Sequence, residues 1–356
     1  MQKILYGYEH IGDSLAELES RKCMLVCGHS FDCSIIKPYL ETLDIEFVRF
    51  SDFRPNPLYE DVCRGVELFR NELCDTILAV GGGSAIDVAK CVKLYCKMPD
   101  GELYLNQEYG DSGIPLIAVP TTAGTGSEST RFAVIYYEGK KQSVMHPSIV
   151  PDYAILEPQL LEKLPLYQKK CTMMDALCQA IESWWSVNAT DESRMMARNA
   201  IERIMAQWET YLGDTYYGGA AMRIMNAANM AGQAINISQT TAAHAFSYKI
   251  TSMYGLPHGH AVAVCLPEIW EFMLPANLPV FEDISVAMGC GGDVREAIAK
   301  FRNMLRQMEL GNPISANYDN DIETLAASVN PVRLKNNPVA ISVDDARMIY
   351  RKIICR

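Results

Sequence analysis

Asp75-Thr76-Ile77-Leu78-Ala79-Val80-Gly81-Gly82-Gly83-Ser84 is an apolar, partly β-branched run that ends in three glycines, and a helical pattern opens from Ala85 to Lys90. The run predicts a buried strand feeding a tight turn. Glycine lets backbone approach a ligand closely, and a helix N-terminus offers free N–H groups to an anion. Gly81, Gly82, Gly83 and Ser84 therefore suit a pyrophosphate. A strand-to-helix turn that holds no ligand accounts for this motif alone equally well.

Working outward, the same texture repeats through the first half of the chain. β-rich runs fall at residues 24–27, 45–50, 76–80, 116–119, 132–137 and 153–156, with helical patterns at 31–43, 58–73 and 85–96. Such alternation predicts a mainly parallel sheet covered on both faces. A second loop, Pro120-Thr121-Thr122-Ala123-Gly124-Thr125-Gly126-Ser127-Glu128, follows the strand at 116–119. Its Thr121, Thr122, Thr125 and Ser127 hydroxyls suit hydrogen bonds to phosphate, ribose or a carboxamide. It is not the G-x-G-x-x-G fingerprint, since the third position is Ser129. Two such loops after two strands favour a nucleotide at the strand C-termini.

Past residue 157 the strand signals fade. Helical periodicity takes over at 166–187, 191–212, 219–236, 241–253, 293–308 and 343–354. We therefore read an α/β Rossmann-like domain over 1–157 and an all-α domain over 158–356, with the linker near Pro151 and Pro158. A chain of 356 residues is long enough for two cores.

Composition narrows the function. The formal net charge of −11 argues against nucleic acid or an anionic membrane as partner. None of the 12 cysteines, Cys355 among them, stands in a C-x-x-C pair, which disfavours a zinc ribbon or a dithiol redox site. No stretch reaches the ~18 apolar residues of a membrane helix, and residues 1–8 do not read as a signal peptide, so a cytoplasmic protein is expected.

A second constellation lies in the helical half. Asp175 and Gln179 share one face of a helical segment, and three of the six histidines, His244, His258 and His260, fall within a short span. A carboxylate and two imidazoles from three segments can form an open first-row metal site. Capping and surface histidines would explain the same cluster.

Together these residues resemble the iron-containing alcohol dehydrogenase family, whose fold group includes glycerol dehydrogenase and dehydroquinate synthase. The resemblance spans the chain. It is carried by Arg54-Pro55-Asn56-Pro57, the Gly81–Ser84 turn, Asp87, the loop 120–128, Met174-Asp175-Ala176-Leu177, His244-Ala245 and Pro257-His258-Gly259. It implies a dehydroquinate synthase-like fold, an NAD(P)H cofactor contacted by the two loops and Asp87, and a catalytic metal, Fe(II) or Zn(II). The family's ligands are Asp, His, His and His. Three map onto Asp175, His244 and His258. The fourth falls on Gln179, a weaker, neutral donor.

Two further departures stand out. Tyr248 replaces a histidine that lines the family's site, and its hydroxyl either relays a proton or shapes the pocket. After the strand at 24–27, where NAD-preferring members often carry an aspartate, this chain has Gly28-His29-Ser30. Without that carboxylate a 2′-phosphate is not repelled, so NADPH is expected to be accepted. Arg131, with Lys249 and the segments 130–136, 181–186 and 247–251, resembles the phosphonoacetaldehyde reductase (hydroxyethylphosphonate dehydrogenase) branch, in which an arginine fork would anchor an anionic aldehyde. The expected activity is reversible hydride transfer between nicotinamide and a small alcohol or aldehyde. The rivals are a non-redox lyase or cyclase on the same scaffold and a silent binding protein. Family members are often dimers, so a homodimer is the expectation.

Overall fold

A computed structural model describes residues 2–213, 215–311 and 318–354; Cys355 lies outside them. The chain divides into two compact units, Met1–Lys163 and Leu164–Arg356.

The first unit is built on β1 (Lys3–Tyr6), β2 (Lys22–Cys27), β3 (Glu46–Phe50), β4 (Thr76–Gly81), β5 (Leu116–Pro120), β6 (Phe132–Tyr137), β7 (Lys140–Met145) and β8 (Tyr153–Leu156). Its helices are α1 (His10–Glu17), α2 (Ile36–Leu40), α3 (Tyr59–Asn71) and α4 (Gly83–Tyr95). Six strands form one parallel sheet in the order β1-β8-β5-β4-β2-β3. The central strands are buried on both faces. Met24, Val26, Ile77, Ala79, Leu116 and Ala118 enter one apolar cluster. Their alternates Cys23, Leu25, Leu78, Val80, Ile117 and Val119 enter another. Burial on both faces is why these strands read as continuous apolar runs.

Two features differ from the expectation. The strand at 132–137 does not join the parallel sheet; it pairs antiparallel with β7. Glu138 and Gly139 both take positive φ, 49° and 71°, as a two-residue hairpin turn requires. The helix expected over 31–43 is broken into a 3₁₀ turn, His29–Cys33, and the short α2. Ser34 causes the break: it is extended, and its hydroxyl accepts the Ile36 N–H at 3.2 Å in place of a helical carbonyl. Pro38 then sits in the first turn of α2, the one helical place that tolerates it.

The second unit is all helical: α5 (Leu166–Trp185), α6 (Asp191–Leu212), α7 (Gly218–Ser238), α8 (Ala242–Tyr254), α9 (His258–Met273), α10 (Pro279–Ala287), α11 (Val294–Gln307), α12 (Tyr318–Ser328), α13 (Pro331–Leu334) and α14 (Val343–Ile354). α5 is the hub and packs on α6, α7 and α9. From Cys171 to Trp185 every residue of α5 is buried. Edge-to-face contacts of Trp185 with Trp270 and Phe281 close its C-terminal end. Each such large side chain contributes about 1.5–3 kcal/mol by burial. α9 escaped the sequence reading because Gly259 and Pro267 lie inside it. Among the described residues no helix is long and apolar enough to cross a membrane.

Candidate metal centre

Asp175, Gln179 and Glu182 stand at positions i, i+4 and i+7 of α5, on one face of the helix. A polar stripe inside the buried stretch of a helix needs partners. Those for Glu182 come from the start of α8. Its Oε1 accepts the Thr241 N–H (3.0 Å), the Thr241 hydroxyl (2.7 Å), the Ala243 N–H (2.9 Å) and the His244 N–H (3.3 Å). One carboxylate oxygen thus caps α8 from another helix and adds a negative charge at the positive end of its dipole. Its other oxygen, Oε2, accepts the His244 Nδ1–H.

That bond sets the tautomer. With Nδ1 committed to Glu182, Nε2 is the ring nitrogen left to ligate, and it faces Asp175, whose Oδ1 lies 3.4 Å away. Nε2 is buried and makes no hydrogen bond. His258 opens α9, and its Nε2 lies 3.9 Å from the same Asp175 oxygen. One ligand atom from each of the three residues lies within 4.8 Å of the others. Two donors bound at about 2.1 Å to a tetrahedral ion stand roughly 3.4 Å apart, so the cluster needs little movement to close on a first-row metal. Asp175 and Glu182 are buried carboxylates that call for positive charge between them. Without a metal, a proton on Nε2 meets that demand: burial pulls the His244 pKa down, but Glu182 and Asp175 push it up to about 10, and a bound metal would take that proton's place.

Gly259 seats His258. A Cβ there would stand 2.0 Å from the Cys171 carbonyl oxygen and 2.9 Å from the Asp175 Cβ. Only glycine lets α9 begin against α5 at this distance. His260 is turned away, because the chain is helical here rather than extended. Its Nε2–H donates to the Gly311 carbonyl and its Nδ1 accepts the Tyr167 hydroxyl, both at 2.9 Å, which leaves no ring nitrogen for a metal. Gln179 is buried one turn after Asp175. The Tyr248 ring lies parallel to His258, 5.9 Å between centroids and 18° between planes.

In the first unit the two glycine-bearing loops interlock. Gly82, extended, is the N-cap of α4 and Gly83 its first residue. A Cβ on Gly83 would come within 2.9 Å of the Thr125 side chain, and one on Gly82 within 3.4 Å of Thr122. The Thr121 N–H donates to the Gly81 carbonyl at 3.0 Å, and the Asn56 N–H donates to the Ser84 hydroxyl at 3.3 Å. Asp87 and Ser127 are occupied with each other: the Ser127 hydroxyl donates to Asp87 Oδ1 at 2.5 Å, while Asp87 Oδ2 accepts the Val134 N–H at 2.9 Å. Below them Lys90, fully buried, donates toward Ser127, the Thr130 carbonyl and hydroxyl, and the Phe132 carbonyl. Burial lowers its pKa to about 8. His29 and Ser30 are exposed at the end of β2, with Gly28 before them. Arg131 is half-buried at the start of β6, its guanidinium over the Phe132 ring at 5.5 Å.

Comparison with known proteins gives the family. Residues 2–158 match the model of the iron-containing alcohol dehydrogenase family, and residues 170–354 match the C-terminal model of the same family. The chain belongs to the iron-containing alcohol dehydrogenase family. Within it, the chain is 33% identical over 305 residues to the probable alcohol dehydrogenase EutG of Escherichia coli, 83% of this chain and 76% of the relative. It is also 33% identical over 295 residues to a 1,3-propanediol dehydrogenase of Klebsiella pneumoniae, 78% and 75% of the two chains. The solved sulfoacetaldehyde reductase of Bifidobacterium kashiwanohense, in complex with NAD+, superposes with a TM-score of 0.92 at 26% identity, covering 99% of this chain and 97% of that one.

For this family member, two working residues were not singled out in the sequence. Glu182 sits in a stretch read only for its likeness to one branch, yet an acid seven residues after Asp175 on a buried face was a visible signal. Lys90 closed the helical pattern after the glycine turn. The spacing Asp87-x-x-Lys90 puts its amine beside that carboxylate, but its bonds to residues 127–132 come from folding alone.

Proposed function

We propose that the protein is a metal-dependent, NAD(P)-dependent alcohol dehydrogenase that interconverts a small aldehyde and its alcohol, with an anionic aldehyde of the phosphonoacetaldehyde kind as substrate. The observation that carries the reading is the convergence of Asp175 Oδ1, His244 Nε2 and His258 Nε2, with the His244 atom buried and free of hydrogen bonds. Asp175, His244 and His258 would hold the metal, Fe(II) or Zn(II), and Gln179, one turn after Asp175 on α5, would add a weak fourth donor. The bound metal supplies Lewis acidity toward an aldehyde or alcohol oxygen, and the bound nicotinamide supplies or accepts hydride.

The chain's own residues do the rest. Glu182 holds the His244 proton on Nδ1 and keeps Nε2 aimed at Asp175. Tyr248, stacked on His258, offers a hydroxyl that can carry a proton to or from the substrate oxygen. Gly82, Gly83, Thr121, Thr122 and Thr125 form a small-residue cradle at the N-terminus of α4, suited to a pyrophosphate. Gly28, His29 and Ser30 carry no carboxylate against a 2′-phosphate. Ser127, Asp87 and Lys90 hold the second loop in place from below. Arg131 is our choice for the substrate's anionic group. Reduction of an anionic aldehyde by a structural neighbour, named as a sulfoacetaldehyde reductase, supports that choice of class.

The test is an aldehyde panel that includes phosphonoacetaldehyde, propanal and sulfoacetaldehyde, with added Fe(II) or Zn(II), followed at 340 nm with NADH and with NADPH. Net cofactor turnover is expected. None with any aldehyde or alcohol, in protein carrying near one metal per chain, would instead favour the non-redox rival. Arg131→Ala is expected to raise KM at least tenfold for the anionic aldehyde and little for propanal; equal effects on both would remove Arg131 from the substrate site.

A further inference from the structure

The parallel sheet brings the C-terminal ends of β3, β2, β4 and β5 to one edge, in that order. The glycine turn of the pyrophosphate cradle follows β4. Adjacent strands stand about 4.8 Å apart, so the end of β2, with Gly28, His29 and Ser30, lies one strand over, where the adenine ribose of a dinucleotide falls. β3 is the next strand, and Arg49 stands opposite Leu25 in its register.

The Arg49 side chain reaches back over the β2 end. Nη1 donates to Asp32 Oδ1 at 2.7 Å and Nη2 to Oδ2 at 3.0 Å, a two-pronged fork. Nη2 also lies 3.4 Å from the Gly28 carbonyl, and the guanidinium lies 5.6 Å from the Phe31 ring centre. Lys37 Nζ approaches the same Asp32 oxygen at 3.6 Å. Two cations thus converge on one carboxylate, and the group carries a formal charge of +1. The pair is accessible: the side chains of Asp32 and Lys37 are each 42% exposed and that of Arg49 35%. An ion pair this open is worth no more than about 1 kcal/mol, so a dianionic phosphate that fits the same fork can displace the carboxylate.

We propose that Arg49, with Lys37, binds the 2′-phosphate of the adenine ribose and makes the protein select a 2′-phosphorylated dinucleotide, Asp32 holding the fork in place until the phosphate arrives. This rests on the dinucleotide reading above and adds its specificity determinant. Asp32 is a poor acceptor for a ribose hydroxyl because both its oxygens are already held by cations. No other carboxylate occurs between Gly28 and Ser34.

The experiment is calorimetric titration of the full chain with 2′,5′-ADP and with 5′-AMP. Wild type is expected to bind 2′,5′-ADP at least tenfold more tightly. Arg49→Leu should erase that preference while holding 5′-AMP affinity within twofold, which also shows that the variant keeps its fold. Arg49→Lys, which keeps the charge but loses the fork, should fall between the two. Asp32→Asn should tighten 2′,5′-ADP severalfold by freeing the guanidinium. Equal binding of the two nucleotides by wild type would overturn the proposal. So would loss of both alike in Arg49→Leu, or weaker 2′,5′-ADP binding in Asp32→Asn. If neither nucleotide nor NADH binds wild type, the dinucleotide reading fails as well; if 5′-AMP and NADH bind but 2′,5′-ADP binds no more tightly than 5′-AMP, only the specificity proposal is lost.

Discussion

Replacing Glu182 by glutamine changes one atom and tests how the metal centre is organised. Glu182 Oε1 accepts four donors at the start of α8, three of them backbone N–H groups, and Oε2 accepts His244 Nδ1–H. Glutamine has one acceptor oxygen and one NH₂ group. Setting the NH₂ against three N–H groups would leave buried donors facing a donor, at about 1–3 kcal/mol each. The amide will therefore keep its oxygen at the cap and turn its NH₂ to His244. Nδ1 must then accept, which moves the ring proton to Nε2, the atom that faces Asp175. A donor N–H in place of a lone pair blocks ligation. Disturbing such an outer partner typically costs 10–100-fold in metal affinity, about 1.4–2.7 kcal/mol.

The assay is zinc or cobalt affinity of purified Glu182→Gln against wild type, by competition with a chromophoric chelator, with thermal melting of both metal-free proteins alongside. A loss of at least tenfold with a retained cooperative melt is expected. Glu182→Ala should lose the fold's margin as well, because it leaves the α8 cap unmet. If Glu182→Gln binds metal within twofold of wild type, the tautomer argument is refuted.

Gln179→His puts an imidazole one turn after Asp175 on the same face; metal affinity should rise at least tenfold, and no rise would mean that position 179 does not reach the ion. Gly259→Ala drives a Cβ to within 2.0 Å of the Cys171 carbonyl; about 2–4 kcal/mol of stability and most of the metal affinity should be lost, as denaturant melts and the chelator assay would read. Lys90 titrates near pH 8, below its unfolded value of 10.5, so the unfolded chain binds more protons between those values and this group's contribution to stability rises with pH. From pH 7 to 10 wild type should gain up to about 3 kcal/mol relative to Lys90→Met in parallel urea melts, and an unchanged difference would show that the amine titrates normally.

Much of the molecule was legible before folding was considered, for reasons local to the chain. Strands buried on both faces are apolar throughout, so residues 76–80 and 116–119 stood out. The long helices 166–187 and 191–212 have a period that no sheet can use. The failures are local as well. Ser34 broke a helix by taking a backbone donor, and α9 hid behind Gly259 and Pro267. The hairpin strand at 132–137 has the same composition as a parallel strand, and only its partner, β7, distinguishes the two.

By itself the sequence determined the family it resembles, the succession of an α/β half and a helical half, and Asp175, His244 and His258 as candidate ligands. Those follow from residue types at set spacings along one chain. It could not determine which nitrogen of His244 faces Asp175, that Glu182 both caps α8 and sets that nitrogen, that His260 is occupied by Tyr167 and Gly311, or that Arg49 reaches Asp32 across β2. Each of these joins side chains from separate segments at hydrogen-bond distance. The direction of a side chain depends on how its helix or strand packs, and packing is a property of the tertiary structure alone.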